Sequence, residues 1–117
     1  MKSKGISETD FATQVHDLLN LFGWRWCHIR PAWSERGWRT PIQGHDPDGF
    51  KGKGLPDIIA VRRGLCIFAE LKDDKSELSP EQEAWARDLQ AVAAHSLGVC
   101  YFVWRPKMIE SIVEILR

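Results

Sequence analysis

Residues 54–72 read GLPDIIAVRRGLCIFAELK, from Gly54 to Lys72. Ile58, Ile59, Ala60 and Val61 form a continuous apolar run, the pattern of a strand covered on both faces. Arg62-Arg63-Gly64 suits a hairpin connection. Leu65 to Ala69 form a second apolar run, which predicts a second buried strand. Side chains alternate across a strand, so Glu70 and Lys72 share one face while Leu71 points into the core. Antiparallel pairing through the 62–64 turn lays Asp57, at the start of the first strand, beside Glu70 and Lys72 at the end of the second. Two carboxylates and an ammonium then converge at one edge of an apolar sheet.

Charges in such a place are costly unless they pair or bind a metal. One reading is a salt bridge between Lys72 and one of the acids. The other is a divalent-cation site. Mg²⁺ takes one or two carboxylates together with waters and phosphate oxygens. Such an ion acidifies water and neutralises charge on a reacting phosphate. Lys72 can then orient the attacking water, help to deprotonate it and stabilise the transition state.

Gly54-Leu55-Pro56-Asp57 followed by Glu70-Leu71-Lys72 resembles the PD-(D/E)xK nuclease signature. KGLPDIIAVRRG (53–64), FAELK (68–72), LSPEQEAW (78–85) and Val99 to Pro106 narrow the likeness. In that order these blocks resemble the virus-type replication-repair nuclease domain, VRR-Nuc. The resemblance runs from about Ser7 to Arg117, apart from the 30s and 40s. It implies an α/β fold with a restriction-endonuclease-like core, a central mixed sheet of about four strands flanked by helices in the order αβββαβα. The whole chain, 1–117, reads as one such domain.

The resemblance also implies an endonuclease, dependent on Mg²⁺ or Mn²⁺, that hydrolyses DNA phosphodiester bonds. Glu8, Asp57, Glu70 and the backbone carbonyl of Leu71 would hold the metal. Asp57, Glu70, Lys72 and Gln82 would be the catalytic set. Small domains of this kind are associated with branched DNA, including the four-way Holliday junction, often as a homodimer in a phage or repair setting. A non-cleaving nucleic-acid-binding module of the same fold is the alternative. The intact set of Asp57, Glu70 and Lys72 argues against it.

Composition sets the outer bounds. A chain of 117 residues supports one domain with one core. Sixteen basic and sixteen acidic residues cancel, which neither advertises nor excludes a nucleic-acid binder. Cys27, Cys66 and Cys100 are widely spaced and read as buried thiols in a reducing compartment. The four histidines show no zinc spacing. No apolar run approaches a membrane helix, and the first ten residues lack a signal-peptide core. The expected location is therefore the cytoplasm, of a bacterial or phage-infected cell if the resemblance holds.

Ser7 reads as a helix N-cap, followed by a stripe of Phe11, Val15, Leu18, Leu19 and Phe22 that ends at Gly23. Glu8 falls at the end of that stripe. It either complements the helix dipole or reaches the sheet edge. Trp24 to Ile29 predict a strand, with His28 as a hydrogen-bonding side chain near the site. Residues 30–54 read as a long loop in which tryptophans interleave with bases. This loop is either a nucleic-acid contact or an insertion folded onto the core. Lys51, Lys53, Arg39, Arg36 and Trp38 are its candidate nucleic-acid-binding residues. Ser79-Pro80-Glu81-Gln82 opens a helix through a capping box. Leu78, Gln82, Trp85, Leu89 and Val92 mark its core-facing stripe. Gln82 can serve the cap, the site, or both. Val99 to Trp104 predict the last strand, and Ile109, Ile112, Val113 and Leu116 a final amphipathic helix.

Overall fold

The computed structural model describes residues 6–30, 32–39, 42–50 and 53–117. The 58–72 hairpin forms as its sequence dictates. β4 (Ile58–Arg62) pairs antiparallel with β5 (Leu65–Leu71), with Arg62 opposite Leu65. Arg63 and Gly64 have φ of 49° and 82°, the two positive values that a type I′ turn requires. β1 (Arg25–His28) adds antiparallel to β4, and β6 (Val99–Trp104) adds parallel to β5. The result is a mixed four-stranded sheet in the order β1-β4-β5-β6. Among the described residues, three α-helices accompany it: α1 (Glu8–Leu21), α2 (Pro80–Ala94) and α3 (Ile109–Leu116). Among the described residues, no helix is long and apolar enough to cross a membrane.

One sheet face carries the core. The pairing register puts Ile58, Ala60, Ile67, Ala69, Leu71 and Trp104 on this side. They bury against Phe11, Val15 and Leu19 of α1 and Ile112 and Leu116 of α3. Ser7 caps α1, its Oγ accepting from the Asp10 N–H at 3.0 Å. Arg62, which reads from sequence as a turn residue, closes this layer instead. Its guanidinium donates to the carbonyls of Phe22 and Leu116, both at 2.8 Å, and lies 4.4 Å from the Trp24 ring centroid. Trp24 Nε1 donates to the same Leu116 carbonyl at 2.9 Å. The ends of α1 and α3 are thereby tied to the last residue of β4.

Several sequence expectations fail on the opposite face. Ile59 is half-buried and Val61 is 39% exposed, so β4 is covered fully on one side only. Cys27 lies on that open side and is exposed, not buried. α2 packs against β6 and leaves the β1–β4 half uncovered. It buries Ala84 and Ala86 while Val92 is 46% exposed. Small side chains let the helix lie close to the strand, which the choice of the larger residues as the stripe did not anticipate.

The predicted 30–54 loop also contains structure. β2 (Ala32–Ser34) and β3 (Gly37–Arg39) form a separate two-stranded hairpin. Its strands are three residues each, too short to show a period, which is why the sequence reads there as irregular.

Candidate active site

Asp57 sits one residue before β4. The Ile29 N–H donates to its carbonyl at 2.7 Å and extends the β1–β4 pairing to the sheet edge. Its side-chain Oδ2 accepts the Leu71 N–H at 2.8 Å. The β4–β5 register, continued past Ile58 opposite Ala69, brings it beside Glu70, close enough for each carboxyl group to shift the pKa of the other. Glu70 is only 2% exposed. Gln82 Nε2 donates to Glu70 Oε1 at 2.9 Å, while Gln82 Oε1 accepts the Ser79 N–H at 2.9 Å. The capping box at the start of α2 therefore orients the amide that holds Glu70. Gln82 thus serves both the cap and the site, where its partner is Glu70.

Burial raises the pKa of both Asp57 and Glu70, and the Asp57 charge raises Glu70 further, to about 8. Two carboxyls side by side in a buried place resist being charged together. The Leu71 N–H and the Lys72 ammonium pull Asp57 back toward the charged form. Glu70 is thus the member of the pair whose charged form is the more strongly disfavoured. Lys72 lies just beyond β5, half-buried, with its backbone N–H on the Trp104 carbonyl at 3.0 Å. Among the described residues it forms no ion pair with either acid, so the salt-bridge reading of this edge is replaced by a carboxyl pair. Tyr101 of β6 is a neighbour that the sequence gave no reason to select. Burial, with the Glu70 and Asp57 charges, pushes its hydroxyl up to about 12.

An open cavity of about 610 Å³ adjoins the pair, lined by Glu8, His28, Arg30, Trp38, Asp57 and Leu71 among others. Glu8 is exposed at its wall, and its charge adds to the upward shift of Glu70. Among the described residues, no three His, Cys, Asp or Glu side chains are gathered closely enough to hold one ion. Glu8 therefore shares the cavity with Asp57 without joining the carboxyl pair. Of the other candidates, Trp38 lines the cavity and Lys53 is exposed, its carbonyl accepting Trp85 Nε1–H at 3.0 Å. Arg36 is exposed at the β2–β3 turn, and the Arg39 backbone pairs with Ala32. Lys51 lies outside the described residues.

His28 makes the hydrogen bond expected of it. Its Nδ1 lies 2.8 Å from His16 Nε2 and 3.3 Å from the Arg30 Nε–H. Burial, then Arg30 and His16, lower its pKa to about 4. A neutral ring accepting at Nδ1 carries its proton on Nε2. Because this folded value lies below the usual 6.5, the folded chain binds fewer protons than the unfolded one between those two pH values. Stability is lost as pH falls through that window. The drop in Tm from pH 7 to pH 4.5 is expected to be smaller in His28→Asn than in the parent, as thermal melts at both pH values would show.

No family model matches this chain, and no curated protein or solved structure matches it.

Proposed function

We propose that this chain is a nuclease of the PD-(D/E)xK type, with the VRR-Nuc domain as its nearest kind, and that it hydrolyses DNA phosphodiester bonds with the help of Mg²⁺ or Mn²⁺. The observation that carries the reading is buried Glu70 beside half-buried Asp57 at the sheet edge, with Lys72 just beyond the end of the same strand. The donors are hard oxygens, and a proton held by the pair is one that a hard cation can replace. Asp57 and Glu70 would hold the ion, with the Leu71 carbonyl supplying a further oxygen from the strand end and Glu8 facing it from the cavity wall. When bound, the ion supplies neutralisation of the phosphate charge and activation of water.

The remaining work falls to the chain itself. Gln82 fixes one oxygen of Glu70 through the capping box, so the carboxylate presents its other oxygen in a set direction. The Leu71 N–H does the same for Asp57. The Lys72 ammonium, free of an ion pair with these acids, orients the attacking water and stabilises the charge that develops on the phosphate. The substrate we assign is branched DNA, such as a four-way junction, in a phage or repair setting. A homodimer would match two cuts to the two-fold symmetry of a junction.

Titration calorimetry with Mn²⁺ tests the site without reference to turnover. Affinity is expected to rise about tenfold per pH unit where the cation displaces the pair's proton. About one proton should be released, seen by comparing buffers of different ionisation enthalpy. Asp57→Asn should abolish the binding. Equal binding by Asp57→Asn would reject this pair as the cation site.

A further inference from the structure

The β2–β3 hairpin presents an aromatic feature that the proposed chemistry does not use. Trp33 and Trp38 face each other across its two strands. Their ring centroids are 5.6 Å apart at 70°, and each residue is 69% exposed. Other exposed apolar side chains, such as Leu21 at the end of α1 and Leu97 before β6, belong to other elements. The tryptophan pair is different because Trp38 lines the cavity that also holds Asp57, Leu71 and Arg30. An edge-to-face pair leaves a broad ring face open to solvent, which a flat π-system can cover. A duplex keeps its bases stacked on one another and has no such face to offer. An unpaired nucleotide does.

We infer that the Trp33–Trp38 hairpin is a stacking platform for an unpaired base of the DNA strand whose phosphate lies at Asp57, and hence that the protein favours DNA in which a nucleotide beside the cut is unpaired or opens at a branch point. The inference rests on the nuclease reading and narrows its substrate class. Arg30 suits the same occupant. Its positive charge, which helps lower the pKa of His28 and His16, lines the same cavity as Trp38 and Asp57, where it can meet the backbone of the strand. Stacking on an aromatic ring is sequence-tolerant, because every base has a π-face. The selection is therefore for structure rather than for base identity.

Fluorescence anisotropy in EDTA measures binding with metal-dependent cutting excluded. The probes are a fully paired duplex and the same duplex bearing a single-stranded flap. The parent is expected to bind the flap at least about tenfold more tightly than the duplex, the scale of one stacked base. The double variant Trp33→Ala/Trp38→Ala should bring that ratio close to one. Trp33→Phe/Trp38→Phe should retain most of the ratio, and Leu97→Ala should retain all of it. A ratio near one in the parent, or an unchanged ratio in the double alanine variant, would overturn the inference. A parallel cleavage assay with Asp57→Asn separates the two levels. If Asp57→Asn cuts like the parent, the nuclease reading fails. If Asp57→Asn is inactive while the alanine variant keeps its flap preference, the nuclease reading stands and the stacking platform alone is wrong.

Discussion

Lys72→Ala is expected to slow DNA cleavage by about 10²- to 10⁴-fold, the range for loss of a positioned group that handles a proton or its charge. Affinity for DNA and for Mn²⁺ should remain within about threefold. The separation follows from what holds the site together. Asp57 rests on the Leu71 N–H, Glu70 rests on Gln82, and the two acids lie side by side. Lys72 supports none of these contacts, and its backbone N–H stays on the Trp104 carbonyl whatever its side chain. Removing the ammonium therefore takes away chemistry and leaves architecture. Lys72→Arg should not restore the rate, since a guanidinium is bulkier, planar and unable to give up its proton. Single-turnover cleavage measures the loss, and a thermal melt shows that the fold survives. A Lys72→Ala protein that cuts at the parental rate would remove the lysine from the mechanism.

Gly54→Ala is expected to be the most damaging single-methyl change near the site. Gly54 has φ of +93°, and an added Cβ would lie 2.4 Å from the carbonyl carbon and oxygen of Glu81 and 2.7 Å from the Gln82 nitrogen. All three atoms are backbone at the first turn of α2, so no side chain can swing away. Strain from the left-handed conformation costs about 1–3 kcal/mol and overpacking about as much again. The sum of about 4 kcal/mol corresponds to a fall in Tm of about 15 °C for a chain of this size. Gly49→Ala provides the comparison. Gly49 also has positive φ, +87°, but nothing lies within 4 Å of its added Cβ, so the cost should stay near 1 kcal/mol. Gly54→Ala carries a second consequence. Relief of the clash moves the start of α2, and with it the Gln82 amide on Glu70. Cleavage should thus drop even at temperatures where the variant is folded.

Gly54 also explains what the sequence could and could not convey. The hairpin from Asp57 to Lys72 was legible because its cues are local: two apolar runs, an Arg-Gly turn, and the strand alternation that sets Glu70 apart from Leu71. The capping box of Ser79 and Gln82 was legible for the same reason. The contact of Gln82 with Glu70 was only half legible. It depends on the backbone of residue 54 lying against that of residue 81, a tertiary approach with no local signature. Tyr101 was missed because a strand flanked by apolar residues gives no sign of which side chain will share a sheet face with an acid on the neighbouring strand. Arg62 was missed because its partners are carbonyls at the ends of two helices distant in sequence. The exposure of Cys27 and Val61 follows from where α2 lies, over β6 rather than β1, and nothing in either strand records that choice. The β2–β3 hairpin left one cue that went unused: Trp33 and Trp38 flank Ser34-Glu35-Arg36-Gly37, whose glycine takes φ of +98° in the turn.

The most direct test is cleavage of an end-labelled four-way junction beside matched linear duplex and single strand, each with Mg²⁺, Mn²⁺ or EDTA, with Lys72→Ala in parallel. The account predicts metal-dependent cuts that vanish in EDTA and fall by orders of magnitude in Lys72→Ala, with paired cuts in the junction. Tight binding without cutting in either metal, or cutting indifferent to EDTA and to Lys72, would contradict it.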